Sequence, residues 1–152
     1  MKNKTVMALL AFAIGAGAAF QASAQAKPEV LVKQRQSAMT LQAKYFGPIG
    51  AMVNGKMPYD AAVVARNAAY LEVLAKMPWD GFQASTADIK SEAKPEIYKD
   101  AAKFKEAYEK LESASVKLAV AAKSGDQAAV KAAFGETGKT CKGCHDDFRV
   151  KK

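Results

Sequence analysis

The sequence predicts an all-α protein, an antiparallel four-helix bundle. Four stretches repeat apolar residues at steps of three and four, and three of these stretches have short or moderate connections. No stretch alternates apolar and polar residues as a strand does. Half of the 152 residues are apolar, which is enough for a core, and a single His excludes any site that needs two imidazoles.

The first 24 residues have the pattern of a secretory signal peptide. Two lysines precede an apolar run from Val6 to Phe20, and Ala22-Ser23-Ala24 supplies the small residues of a cleavage site. The run is shorter than the roughly 20 residues that a membrane-spanning helix requires. We therefore expect residues 1–24 to be cleaved, which lowers the formal charge from +8 to +6. Residues 25–152 are then one domain in a bacterial periplasm, without membrane insertion.

The first two helices are expected at 29–54 and from Asp60 to Pro78. Asp60 offers an N-cap for the second helix, and Pro48 is expected to kink or locally unwind the first. The inward positions of the first helix are Leu31, Arg35, Ala38, Gln42, Tyr45, Ile49 and Met52. Those of the second helix are Val64, Ala68, Leu71 and Ala75.

The third helix is expected to begin at Pro95, and the fourth to follow the turn Ser124-Gly125-Asp126. The stripe of the third is Ile97, Ala101, Phe104, Tyr108, Leu111, Ser115 and Leu118. The stripe of the fourth is Val130, Phe134, Cys141, Cys144 and Phe148. The long connection from Pro78 to Lys94 contains Trp79 and Phe82, which either cover a bound group or pack the loop.

The chemistry is concentrated in Cys141-Lys142-Gly143-Cys144-His145, a CxxCH motif that is the attachment signature of c-type haem. On a helix both thiols lie on one face, and His145 can turn its Nε2 toward the iron. A redox dithiol would require a helix N-terminus, a zinc site lacks a fourth soft ligand, and a local disulfide leaves His145 without a role. The sequence thus predicts a bundle with one haem c attached to its C-terminal helix.

A CxxCH motif on the last helix of a bundle resembles the class II c-type cytochromes, and specifically the cytochrome c′ family. The similarity covers essentially the whole mature chain. The segments that carry it are Lys27-Pro28-Glu29, Arg35-Gln36-Ser37-Ala38, Pro58-Tyr59-Asp60-Ala61-Ala62, Met77-Pro78-Trp79, Ala93-Lys94-Pro95-Glu96-Ile97 and Cys141 through Arg149.

This resemblance implies that Cys141 and Cys144 hold haem by thioethers and that His145 is the axial iron ligand. It also implies that Arg35, Gln36 and Glu92 lie at the haem edge. Arg35 has an independent reason, because it interrupts a buried stripe and a buried guanidinium needs an anion such as a propionate. The alternative is that Arg35 extends to solvent.

The sixth iron position decides the function. The resemblance places Met39 on the distal side, where a side chain either blocks an open, high-spin site or ligates the iron as in low-spin relatives. We favour the lid. Arg149 either acts at the proximal face or is a solvated cation at a helix C-terminus.

The leading interpretation is a periplasmic haem protein for electron transfer or for binding NO and CO, and not an enzyme. A peroxidase would require distal acid–base groups, for which no second His exists, and the third alternative is a haem-free bundle acting as a binding module. Because the positive charge is spread over all helices, acidic redox partners are plausible and nucleic-acid binding is not supported. The resemblance also allows a homodimer.

Overall fold

The computed structural model describes residues 26–151, which form an antiparallel four-helix bundle, as predicted. The expected signal peptide, residues 1–24, lies outside this range. The helices are α1 (Pro28–Val53), α2 (Ala61–Leu74), the single turn α3 (Glu96–Lys99), α4 (Ala101–Ser124) and α5 (Gln127–Phe148). Two 3₁₀ turns, Trp79–Gly81 and Ala84–Thr86, lie in the long connection between α2 and α3.

Helix α1 is continuous through Pro48, so the expected unwinding does not occur. The helix starts at Pro28, where the missing N–H of proline costs nothing. It ends at Asn54, and Gly55 follows with a φ of 72°, in the left-handed region that glycine adopts readily. The tertiary packing of this helix overrides the single hydrogen bond that Pro48 removes.

The predicted N-caps of α2 and α5 are both confirmed. The side chain of Asp60 accepts from the backbone N–H of Val63 at 3.0 Å, and that of Asp126 accepts from Ala128 and Ala129. Gly125 joins α4 to α5 with a φ of 75°. These local signals fix where the two helices begin.

The expectation of one third helix from Pro95 is wrong. The chain leaves helical geometry at Asp100, whose φ is −124° and ψ 64°, and its carboxylate accepts from the backbone N–H of Lys103 at 3.1 Å. Asp100 therefore caps a new helix rather than continuing the old one, since a short polar side chain competes with the helical backbone. Ala101 is consequently exposed, although the predicted stripe placed it inside.

Two groups of buried apolar residues pack together within the bundle. The first, which we call the aliphatic core, consists of Ile49, Met52, Val53, Val64, Ala68, Leu71, Leu118, Ala119, Ala122 and Val130. The second, which we call the aromatic cluster, has Ile97, Phe104 and Phe148 buried at its centre and Trp79, Phe82, Ala93, Tyr98, Ala107, Tyr108 and Cys144 packed against them. The two groups occupy opposite ends of the bundle.

Helices α1 and α5 approach each other most closely at Gly50. A Cβ on Gly50 would lie 2.5 Å from Cζ of Phe134, so only glycine allows this contact. One turn earlier in α1, the ring of Phe46 stacks on Phe134 and lies 3.8 Å from where a Cβ of Gly138 would be. As α1 is followed backward, its contacts on α5 move forward, which is the register of an antiparallel pair.

Among residues 26–151, no helix combines the length and apolarity needed to cross a membrane.

Candidate haem-binding site

The CxxCH motif lies within the last two turns of α5. Cys141 and Cys144 are three residues apart on a continuous helix, so their thiols lie on neighbouring positions of one face. Both are half-buried and free, and Cys144 packs against the aromatic cluster. Nothing lies within 4 Å of where a Cβ of Gly143 would be, which leaves the backbone between the cysteines accessible.

The electrostatics of the motif do not suit a redox dithiol. Burial raises the pKa of the Cys144 thiol to about 11, and burial also raises the pKa of Cys141. Both thiols are therefore protonated at neutral pH, whereas a reactive dithiol requires a lowered pKa. Burial, and next the charge of Arg149, lower the pKa of His145, which favours the neutral imidazole that binds metals.

Arg35 is buried, with 3% of its surface exposed, so the alternative in which it extends to solvent is wrong. Its guanidinium donates to the carbonyl of Gly81 at 2.8 Å and lies 4.2 Å from the ring centroid of Phe82. Its remaining acceptors are hydroxyl oxygens, those of Thr86, Ser91 and Tyr98. Thus a permanently charged group is buried with hydrogen-bond acceptors that carry no formal charge.

The loop after α2 reaches Arg35 because one glycine permits it. A Cβ on Gly81 would lie 3.0 Å from both Cβ of Arg35 and the carbonyl oxygen of Leu31. The loop is thereby held against α1 and brings Phe82 over the guanidinium. Because Phe82 and Cys144 pack in the same aromatic cluster, the structure brings Arg35 and the motif to the same end of the bundle.

The register of α1 and α5 relates Met39 to the motif. Extrapolated from the contacts at Gly50 and Phe46 with equal rise per residue, it puts Met39 level with the motif, between Cys141 and His145. The side chain of Met39 is half-buried.

The other two residues that the resemblance assigns to the haem edge lie in different surroundings. Gln36 is exposed on α1. Glu92 is half-buried and forms an ion pair with Arg149 at the end of α5. Arg149 is therefore paired with a carboxylate, which the sequence did not indicate.

The acceptors of Arg35 were also missed by sequence reasoning. Thr86, Ser91 and Tyr98 are separated from Arg35 by 51 to 63 positions, and no local pattern marks them.

The residues of this end fit a haem. Trp79 Nε1 is a buried donor without an acceptor in the described residues, and it lies in the aromatic cluster with Cys144. A haem propionate would supply the acceptor that Trp79 lacks and a charged partner for Arg35, which forms no ion pair within the described residues. The other buried polar atom without a partner, the hydroxyl of Tyr59, lies at the aliphatic end.

A four-helix bundle with this motif on its last helix defines a c-type haem protein. A family model for cytochrome c′ matches residues 30–149, and curated relatives match over most of their length. The chain belongs to the cytochrome c′ family, and it carries covalently attached haem c.

The chain is similar to cytochrome c′ of Alcaligenes xylosoxydans xylosoxydans, with 46% identity over 127 residues, covering 84% of this chain and 98% of that protein. It is 48% identical over 126 residues to cytochrome c′ of Rubrivivax gelatinosus, covering 82% and 98%. Among solved structures, cytochrome c′ of Shewanella frigidimarina matches with a TM-score of 0.81 and 41% identity, covering 84% and 99%. A nitric oxide complex of a variant from Alcaligenes xylosoxidans matches with a TM-score of 0.79 and 45% identity, covering 84% and 99%.

Proposed function

We propose that this cytochrome c′ family member works in the periplasm, where it binds NO or CO at an open iron position and exchanges electrons. Bound haem supplies the change between ferric and ferrous iron and a coordination position for a diatomic ligand. The observation that carries the proposal is the register that sets Met39, a half-buried residue of α1, level with the CxxCH motif.

Three residues of α5 hold the cofactor in this proposal. Cys141 and Cys144 form the two thioethers, and His145 provides the axial nitrogen. Their spacing on one helical face and the neutral state favoured for the imidazole support these roles.

The haem edge is held by residues of α1 and the loop. Arg35 pairs with a propionate, because its present acceptors leave its charge without a counter-charge. Gln36 and Glu92 border the same edge by analogy with the family. Of these three assignments, that of Arg35 is supported by contacts within this protein, and the other two by the family alone.

Met39 closes the distal side as an apolar lid rather than as an iron ligand. A thioether side chain packs well against a flat ring, and its flexibility lets a small ligand displace it. The alternative is that Met39 coordinates the iron, which makes the protein a low-spin electron carrier.

The electron paramagnetic resonance spectrum of the ferric protein at neutral pH decides between the two roles. We expect a high-spin signal that Met39→Ala leaves unchanged, with Met52→Ala as a control for loss of a buried methionine elsewhere in α1. If the unsubstituted protein gives a low-spin signal that Met39→Ala converts to high spin and Met52→Ala does not, Met39 is an iron ligand and the lid role is wrong.

Attachment itself is tested by extraction. We expect Cys141→Ala and Cys144→Ala together to release all haem into acid-acetone, while the unsubstituted chain retains it in a denaturing gel. The signal peptide is tested by mass, and we expect secreted protein to begin at Gln25.

The helical surface also favours a homodimer through α1 and α2. Most of the large apolar side chains that are exposed in the described residues lie on these two helices or the turns that follow them: Val30, Leu41, Met57, Tyr70, Val73 and Met77. Tyr70 forms an edge-on ring pair with Tyr45 across the two helices. An apolar area of this kind marks an interface.

Sedimentation equilibrium tests the dimer. We expect Tyr70→Glu to give monomers, whereas Val120→Glu, at an exposed apolar position on α4, leaves the dimer intact. A monomeric unsubstituted protein contradicts this proposal and leaves the haem site unaffected.

A further inference from the structure

The loop segment 92–94, which we call the strap, pairs with the chain that leaves α5. The backbone N–H of Lys94 donates to the carbonyl of Phe148 at 2.9 Å, and that of Val150 donates to the carbonyl of Glu92 at 2.8 Å. These bonds form an isolated antiparallel bridge. The strap is therefore attached by its backbone next to the last turn of α5.

A second attachment caps the helix. The ammonium group of Lys94 donates to the carbonyls of Asp146 and Asp147 at 2.9 and 3.1 Å. Carbonyls in the last turn lack helical partners, and a cation is favoured there by the helix dipole. Lys94 thus stabilises the end of α5 without touching the side chain of Arg149.

The third attachment is made by side chains alone. The carboxylate of Glu92 accepts from Nε of Arg149 at 2.7 Å and also from its Nη2. Arg149 lies one turn after His145, and its backbone N–H donates to the carbonyl of His145 at 3.1 Å. Arg149 itself is extended, with φ −118° and ψ 137°, so the residue that Glu92 holds directly follows the last turn of α5, and its charge acts on His145.

We propose that Glu92 is a positioning residue for His145, because it fixes the guanidinium of the residue that directly follows the last turn of α5. This role rests on the proposed function, in which His145 is the axial iron ligand. It differs from a place at the haem edge, since Glu92 acts here through Arg149 rather than by touching the cofactor.

The ion pair has little weight in overall stability, because 45% of the Arg149 side chain and 41% of the Glu92 side chain are exposed. The backbone bonds and Lys94 retain the strap without it. The bidentate pair instead holds the long side chain of Arg149 in one geometry, whereas an unpaired arginine samples several rotamers. Its effect is therefore on the surroundings of the imidazole.

The iron–histidine stretching band in the resonance Raman spectrum of the ferrous, haem-loaded protein measures this effect. We expect Glu92→Gln and Arg149→Gln to shift the band, and the double variant to shift it no further than Arg149→Gln alone. Glu96→Gln removes the same charge four residues along, at an exposed position, and leaves the band unshifted.

Two results overturn the role of Glu92. One is a band that Arg149→Gln shifts and Glu92→Gln does not. The other is a band that Lys94→Gln shifts as much as Glu92→Gln, because a general loosening of the helix end then explains the change. The band arises only from five-coordinate ferrous haem with an axial histidine, so its absence from the unsubstituted protein contradicts the open iron position of the proposed function, whereas the two results above concern Glu92 alone.

Discussion

The two ends of the bundle are built from different kinds of side chain. The aliphatic core closes one end with buried branched residues such as Ile49, Val64 and Leu118, each 0% exposed. The aromatic cluster at the other end has many half-buried members, and it includes the loop after α2 as well as helices.

The difference shows which end depends on groups that the polypeptide alone does not pair. Helices α1 and α5 meet through Gly50 at the aliphatic end, where branched side chains fill the interior. At the aromatic end, Arg35 and Trp79 bring a buried charge and a donor without an acceptor. The first end fixes the register, and the second is shaped to hold a charged, planar cofactor.

The largest expected effect comes from Arg35→Met, which keeps an apolar stem and removes the hydrogen bonds that hold the loop. We expect the free energy of unfolding to fall by about 3 kcal/mol, since several buried acceptors lose their donor. Urea unfolding of the haem-loaded protein, followed by circular dichroism, measures this.

Lys33→Met is the control for Arg35→Met. Lys33 is exposed on α1, two residues before Arg35, so we expect a change below about 0.5 kcal/mol. Equal effects of the two substitutions contradict the loop-holding role of Arg35.

Gly50→Ala tests the aliphatic end. The added methyl group meets the ring of Phe134, so we expect a loss of about 2 kcal/mol in the same urea experiment. Gly135→Ala, at an exposed position of α5 with nothing within 4 Å, is expected to stabilise by up to about 1 kcal/mol through helix propensity. If both substitutions stabilise, the close approach of α1 and α5 is wrong.

Trp79→Phe and Tyr59→Phe compare the two buried polar atoms that lack partners. At the aromatic end, we expect a propionate to accept from the indole, so Trp79→Phe should destabilise the haem-loaded protein by about 1 kcal/mol. At the aliphatic end, Tyr59→Phe removes an unpaired hydroxyl and should be neutral or stabilising. Thermal unfolding measures both changes in stability. If Trp79→Phe leaves the stability unchanged, the indole does not donate to the haem.

The smallest expected effect on stability comes from an exposed ion pair, that of Glu106 with Lys110. A hydrogen bond from Lys110 lowers the pKa of Glu106 below its ordinary value of 4.5. A carboxylate with a lowered folded pKa stabilises above its unfolded pKa, and this stability is lost as the pH falls through the folded value.

The pair is tested by thermal unfolding between pH 7 and pH 3. We expect Glu106→Gln to melt slightly below the unsubstituted protein at pH 7, and the two to converge at pH 3. One molar salt should abolish the difference, because it screens exposed charges. A difference in melting temperature that persists at pH 3 contradicts the expected direction of the pH dependence.

Sequence reasoning succeeded where the signal was local. The caps Asp60 and Asp126 lie next to the helices they start, and the CxxCH motif is contiguous. It failed at Asp100, because the apolar period runs across this residue while the carboxylate caps the backbone. A period reports which face is buried and not whether the helix is unbroken.

Long-range partners of the site could not be predicted. Arg35 was identified as buried by its position in a stripe, but its acceptor Thr86 lies 51 positions away. Glu92 and Arg149 are 57 positions apart and meet only because the strap pairs with the end of α5. Such contacts arise from the closure of loops, which leaves no periodic trace in the sequence.

The short connection at Gly125 and Asp126 also sets the angular orientation of α5. An α-helix turns by about 100° and advances about 1.5 Å per residue, so one inserted residue would swing every side chain of α5 a quarter-turn around its axis. Cys141, Cys144 and His145 would then face a neighbouring sector of the bundle. The length of a two-residue corner, about four helical turns before the first thiol, thus determines where the cofactor can be attached.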